Sequence, residues 1–555
     1  MSHTLLAGGV GTRTTTRSAG WRGDRLVLLV LATTALLVLG AGRASAATLE
    51  VCPSGCAYTQ LAPAVAAAHD GDTIMIGAGT YDGGVTVDVS VKLVGAGATR
   101  TIISGGGPVV TIGEFGASSE PTVSIDGVTI TDGVTRSSPE STPFTGQEGV
   151  FAAGGGVEIP PNADFSGGAR VTIANSIITG NRVAPSDTAP VGPDCPGGPC
   201  PFAFAGGGGI DSWGTLTLSH TTVSDNRVGS ASGLSALASD ADGGAITSFL
   251  GPLTIRRSVI HGNQASATGP NARFAEGGAI SASGGTLTAT NSSVTDNSAA
   301  LAASLPNSVE LLANGGAIHV AGDVSIAKTR NTTISGNSVS MTNDVGDAEA
   351  FSGGIHVDID VDFAMSNSVV ADNSVHSATL SGSSGNAEGD SGAGEIHGIV
   401  SDARFTGNSV TVSSAAGDAT AFAGALMDFG SITNGVISHN HVHASSPSGE
   451  VFAAGGAIVV DETGLALRNS ELSANTVGAN GASGSAQGGG IFDAPINNGP
   501  PGGPLKLLNT GVTGNALSGS AGIALQGGGL FIQNQPLTLT HSVIANNSPD
   551  QCFGC

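Results

Sequence analysis

Asparagine recurs at one place in a repeated phrase eleven times. It stands at Asn181, Asn226, Asn263, Asn297, Asn337, Asn373, Asn408, Asn440, Asn475, Asn515 and Asn546, at spacings of 31 to 45 residues. The residue three before it is apolar every time, as in Ile178, Val223, Phe405 and Val543. Upstream of each lies a small-residue cluster followed by an aliphatic, such as Gly243-Gly244-Ala245-Ile246 or Gly277-Gly278-Ala279-Ile280. A fixed period of this size marks a solenoid, in which no repeat buries its apolar face alone and stacked neighbours share one core.

Within a unit such as Gly207–Asn226, three short alternating stretches are separated by turns: Gly-Gly-Gly-Ile, then Thr215-Leu216-Thr217-Leu218, then Thr222-Val223-Ser224. A hairpin meander would need tight Asn-Gly or Asp-Gly turns, whereas parallel coils need only recurrent corners. The chain is therefore expected to be all-β, a single-stranded parallel β-helix solenoid rising ~4.8 Å per coil. Stacked one per coil at an inner corner, the asparagine amides would hydrogen-bond along the axis as an Asn ladder. The residue before each, often Gly or Asp (Gly180, Asp225, Gly262, Asp296), tolerates the left-handed backbone of a sharp corner. Phe151, Phe204, Phe274, Phe351, Phe422 and Phe452, each just before a small-residue cluster, read as an inward aromatic stack. The remaining residues between each Asn and the next glycines read as loops on one side.

Such a solenoid explains how 555 residues, with 88 Gly and only 11% charged residues, fold on one core. Residues 1–46 read as a signal peptide: Arg13, Arg17, Arg22 and Arg25 precede the apolar run Leu26–Leu39, and Ala44-Ser45-Ala46 follows. That run is shorter than the ~20 residues of a membrane span, and no later segment is long enough, so a secreted or cell-surface protein is expected. Residues 47–70 read as an N-terminal cap with a short helix after Cys52-Pro53-Ser54-Gly55-Cys56, residues 71–548 as the β-helix and 549–555 as a Cys-containing tail. Without residues 1–46 the chain keeps 14 basic and 42 acidic residues, a net charge near −28. That charge excludes nucleic acid as a partner and disfavours acidic polysaccharides. In an oxidising compartment the close pairs Cys52/Cys56, Cys195/Cys200 and Cys552/Cys555 are expected to form local disulfides, zinc being the alternative for any Cys pair.

The Gly-Gly-Ala-Ile phrase followed by an apolar-x-x-Asn motif resembles the polymorphic outer membrane protein repeats of chlamydiae, Phe405-x-x-Asn408 matching the F-x-x-N form literally. The stretch from Gly71-Asp72-Thr73-Ile74 to Gly79-Thr80-Tyr81 is similar to the opening coils of pectin-lyase-like right-handed β-helices. The first resemblance implies surface adhesion and the second a right-handed coil and polysaccharide-active enzymes. Uronate lyases need clustered carboxylates for calcium with an Arg or Lys base, and hydrolases of this fold use neighbouring Asp pairs. The chain has no Asp-Asp dipeptide, few bases, and beyond residue 46 one Trp and two Tyr.

One constellation bears on chemistry. The residue after each cluster's aliphatic should point away from the core, and that column runs Glu158, Asp211, Thr247, Ser281, His319, His356, His397. Three histidines then fall on successive coils, with Glu395 and the outward-facing Asp358, Asp360 and Asp362 alongside. Neutral imidazoles beside carboxylates suit zinc or another divalent ion, so His319, His356, His397, Asp358 and Glu395 form a candidate metal set. The alternative is three solvated histidines over an acidic strand. A second group, His439, His441 and His443, straddles a ladder corner. Two functions follow: a non-enzymatic β-helix acting in adhesion or binding of an extracellular surface or glycan, with no cofactor required, or a divalent-metal-dependent polysaccharide-active enzyme.

Overall fold

A computed structural model describes residues 46–555 apart from 119, 137–148, 186–201, 230–237, 270–271, 308, 310, 323, 381–382, 496–502 and 534. Every pairing between named strands is parallel, from Thr48–Val51 on Thr73–Ile76 to Cys552–Phe553 on Leu530–Ile532, so the chain is a parallel β-helix. A 26-stranded sheet takes up to two strands from each coil and a 14-stranded sheet takes one. Together they enclose the principal core, mostly of Ile, Val and Leu side chains such as Ile178, Leu216 and Val223, with Phe405 among them. The helix Leu61–Ala66 packs Leu61, Ala64 and Val65 onto this core beside the first coils, covering the apolar end that stacking leaves open.

Asn181 through Asn515 lie buried and bonded in series. Each Nδ2 donates to the next coil's Oδ1 at 2.8–3.0 Å. Each Oδ1 also accepts a backbone N–H from the coil before, as from Asn263 to Asn297 at 2.9 Å, so both ends of every ladder amide are paired. The last member is Asn547 rather than Asn546. In the final coil Asn546 itself takes the left-handed corner (φ 60), the place of Asp225 or Gly262 elsewhere. Ile544, not Val543, then pairs with Val512, and Asn546 is exposed.

A second ladder stands at another corner. Asn175, Asn291, Asn331, Asn367, Asn469 and Asn509 adopt left-handed backbone, and the Ser or Thr after each turns inward. The serine hydroxyls accept N–H groups across coils, as Ser292 does from Ser258 and Ser368 from Thr332, both at 3.2 Å. The Asn-Ser/Thr dipeptide was the sequence signal for this corner, which satisfies backbone donors that the turn withdraws from the sheets.

The segments between each ladder Asn and the next glycines are mostly strands, not loops. They form two 11-stranded sheets, one leaving the body after the asparagine and one returning to it. The two pack face to face through Ala, Val and a few larger residues, including Ala299, Val339, Val410, Ala313 and Ala421. Small side chains allow the sheets to lie close, so the coils from Val134 to Gln526 extend into a thin fin with a dry interior of its own. The phenylalanines correspondingly do not line the core. Alternation turns Phe151, Phe204, Phe422 and Phe452 to the opposite side of the returning sheet, toward the body.

Cys52–Cys56 and Cys552–Cys555 are bonded, and Cys195 and Cys200 lie outside the described residues. Peptide mass spectrometry of the purified protein without reductant is expected to find Cys52 and Cys56 in one closed loop. Alkylation of both thiols under those conditions would contradict the link. Among the described residues no helix is long and apolar enough to cross a membrane.

Candidate functional site in the angle between fin and body

The column after each aliphatic does point away from the core, but it is covered. Glu158, Asp211, Thr247, Ser281 and His319 are all buried, because the fin's returning sheet lies over them. The result is a groove along the axis, with the body's strands on one side and the returning sheet on the other.

Its middle is a row of alternating acids and bases. Glu276 Oε2 stands 3.2 Å from His319 Nδ1, and His319 Nε2 is 3.9 Å from Asp358 Oδ1. The same Asp358 oxygen lies 3.4 Å from His356 Nε2, and His356 Nδ1 lies 3.4 Å from Glu395 Oε2. Glu395 Oε1 then reaches His397 Nε2 at 3.3 Å. All five candidate metal residues therefore meet in one network, which Glu276 extends.

Their register differs from the expected one. His319 pairs with His356, but His356 pairs with Glu395, and His397 pairs two positions further along with Phe429. The cause is local. In this coil Gly394 takes the place of the aliphatic Ile355, and the strand Gly394–Ser401 runs straight through where the preceding coil turns between Ile355–Val357 and Asp362–Ser366. A shift of two keeps His397 on the same side of the strand, so it remains beside Glu395. Of the three aspartates expected together, only Asp358 joins. The strand Ile355–Val357 ends before it, Asp358 Oδ2 accepts the Gly322 N–H at 2.7 Å, and Asp360 and Asp362 are exposed.

The facing carboxylates come from positions the column argument did not reach. Asp242, Glu276 and Asp390 each immediately precede a small-residue cluster. They share one register column of the returning sheet with Asn314 and Phe351 between them. Extending the same period-two reasoning to that position would have found them.

Electrostatics divide these acids into two sets. Burial opposes the charge on Glu276, Asp358 and Glu395, but the adjacent histidines outweigh it and hold all three below the ordinary carboxylate range. Burial likewise opposes a charged His319, and Glu276 and Asp358 overcome it and raise its pKa. At one end of the row, burial and Glu276 push Asp240 up to about 8, against the pull of Arg273. Asp242 is raised well above the usual range by burial, Glu276 and Asp240. At the other end, burial with Glu395 and Glu388 raises Asp390. The groove thus favours charged carboxylates at its centre, beside the histidines, and neutral ones on both flanks.

Aromatic rings occupy both ends. Phe151 stacks on Phe204 at 4.8 Å between centroids, and Trp213 stacks on Phe249 at 4.5 Å. Beyond the histidines, Phe422, Phe452, Phe492 and Phe531 follow one another at 5.3–5.8 Å. A pocket of about 250 Å³ opens here, lined by Phe422, Phe452, Phe492 and Pro495 with Asp418, Thr420 and Glu450. The His441–His443 pair lies elsewhere, on the sheet leaving the body, with rings 6.0 Å apart.

No family model matches the chain, and no curated protein matches it. Among solved structures, the A-module of mannuronan C-5 epimerase AlgE4 from Azotobacter vinelandii aligns with 85% of this chain and 91% of its own, at 12% identity and a TM-score of 0.23. The AlgE6 A-module of the same organism aligns with 87% of this chain and 93% of its own, at 12% identity and a TM-score of 0.25. The polygalacturonase of Erwinia carotovora covers 89% and 97%, at 10% identity and a TM-score of 0.22. Likeness at this level leaves function to be read from the groove itself.

Proposed function

We propose that this chain is an exported β-helical binding protein that takes an extended glycan into the angle between fin and body. The observation that carries this reading is the open pocket at the groove's C-terminal end, where phenylalanine rings and carboxylates line one concavity. Ring faces supply flat apolar contact for a pyranose, and Asp418, Thr420 and Glu450 supply acceptors for its hydroxyls. A groove this rich in carboxylates, on a chain with net charge −24, repels polyuronates. The ligand class is therefore a neutral or amino-bearing oligosaccharide. A panel of such oligosaccharides screened against the protein should yield binders, with no retention of polygalacturonate. Phe452→Ala should weaken the best binder about tenfold, the loss of roughly 1.4 kcal/mol of ring contact, without lowering the melting temperature by more than a few degrees. Equal affinity of wild type and variant would remove the reading.

A second reading, a metal-dependent polysaccharide-active enzyme, is favoured by a different observation. Carboxyls whose neutral form burial favours (Asp240, Asp390) flank a histidine–carboxylate centre, the pairing that general acid catalysis beside an activated nucleophile requires. Release of reducing ends from a bound glycan would establish it over simple binding.

A further inference from the structure

The imidazoles in the middle of the groove are oriented as metal ligands are. His319 directs Nδ1 at Glu276 and His356 directs Nδ1 at Glu395, with Ser352 Oγ also 3.1 Å from His356 Nδ1. Both rings therefore present Nε2 toward the same place, beside Asp358 Oδ1. A histidine whose far nitrogen is held by a carboxylate has its tautomer and ring plane fixed for coordination, the usual outer arrangement of protein metal centres. The three candidate ligand atoms lie within 4.8 Å of one another, and two of the separations are 3.4 and 3.9 Å. Tetrahedral coordination at ~2.0–2.1 Å would place them about 3.4 Å apart, so side-chain adjustment alone closes the set.

We propose that His319 Nε2, His356 Nε2 and Asp358 Oδ1 form a divalent transition-metal site, with Glu276 and Glu395 as the carboxylates that orient the two imidazoles. Two nitrogens and one oxygen select a borderline first-row ion such as zinc over calcium or magnesium, which prefer all-oxygen shells. The site is open. His319 and His356 side chains are 8% and 14% exposed, but Asp358 is 40% exposed, so the solvent side retains a position for water or a ligand group. Three protein ligands with one position free is the layout of a reactive rather than a structural zinc centre. The site needs neither a glycan nor the pocket beside Phe452.

The test is zinc titration by calorimetry on the tag-free exported protein after chelator treatment, with cobalt substitution read by its visible absorption. One equivalent is expected to bind, and cobalt should give the intense bands of a four-coordinate ion. His356→Ala should lose at least tenfold in zinc affinity. Glu395→Gln, which touches no metal, should lose about tenfold and shift the cobalt bands, whereas loss of an unrelated structural contact would leave them in place. Should His356→Ala not fold, Asp358→Asn makes the same test with an isosteric side chain. His443→Ala, at the other histidine pair, should bind as wild type does. Equal zinc affinity in wild type, His356→Ala and Asp358→Asn, or loss that follows His443→Ala instead, would overturn the proposal.

Discussion

Replacing Asn297 by leucine is expected to destabilise the protein by roughly 2–5 kcal/mol, out of proportion to its nearly equal volume. The Asn297 Oδ1 accepts both the backbone N–H and the Nδ2 of Asn263, at 2.9 Å each. Its Nδ2 donates to Asn337 Oδ1 and to the carbonyls of Ile260 and Thr295, at 2.9–3.2 Å. Leucine returns none of these. It strands the buried backbone N–H of Asn263, at about 1–3 kcal/mol. It also removes one acceptor of Asn263 Nδ2, which keeps the carbonyls of Val223 and His261, and one donor to Asn337 Oδ1, at about 1 kcal/mol each. The midpoint of denaturant unfolding should fall, and the amides of the coils around Asn263 and Asn337 should exchange faster than those of distant coils, since a solenoid transmits damage mainly to neighbours. Asn546→Asp is the paired measurement. Asn546 is exposed and serves only a left-handed corner that aspartate also accepts, so stability should move by less than about 0.5 kcal/mol. If Asn546→Asp were as harmful as Asn297→Leu, ladder bonding would not be the cause.

That contrast shows what a repeat makes legible. Apolar-x-x-Asn alone specified the inner corner in ten coils, because burial and amide stacking act on the same side chain. In the last coil the Asn546-Asn547 doublet satisfied the motif in two registers. Only the neighbouring strand, which pairs Val512 with Ile544, decides between them. The fin was hidden for a different reason. Its interior is built from Ala more than from Val or Leu, so its strands lack the hydrophobic contrast that marks a strand in sequence. Ala in a two-sheet interior and Ala in a loop look the same until a facing sheet is placed.

The groove was legible by halves. Period-two alternation put His319, His356 and Asp358 on one side, and the structure brings them together. It could not indicate that the side was covered, because the cover comes from strands read as loops. Glu276 and Asp242 were missed with it. Histidine 397 shows the complementary limit: a coil that omits a turn slips two residues, and the slip is invisible in a motif whose aliphatic position is occupied by glycine.

The covered carboxyls make stability depend on pH in a direction opposite to that of ordinary surface acids. Asp240 holds its proton up to about 8 in the folded chain but only to about 4 when unfolded. Between those values the unfolded state has released a proton that the folded state retains, so raising the pH favours unfolding. The stability that protonated Asp240 contributes is complete below about pH 4 and is lost as pH rises through about 8, on the order of 5–6 kcal/mol at most. Asp242 and Asp390, also raised, act in the same direction, as does His319, whose contribution disappears as pH climbs through its raised value. Glu276, Asp358 and Glu395 are lowered, so their contribution is present above the ordinary carboxylate range and is lost only as pH falls below it. The two sets therefore act on opposite sides of about pH 4, and the melting temperature should peak in mildly acid solution and decline toward pH 8. Asp240→Asn cannot ionise, yet it keeps the shape of the side chain. Its melting curve should match wild type near pH 5 within a few degrees, then decline less steeply, leaving the variant the more stable protein at pH 8. Curves that ran parallel from pH 5 to pH 8 would show that Asp240 ionises in the folded groove as freely as in the unfolded chain, and that the fin does not seal this end of it.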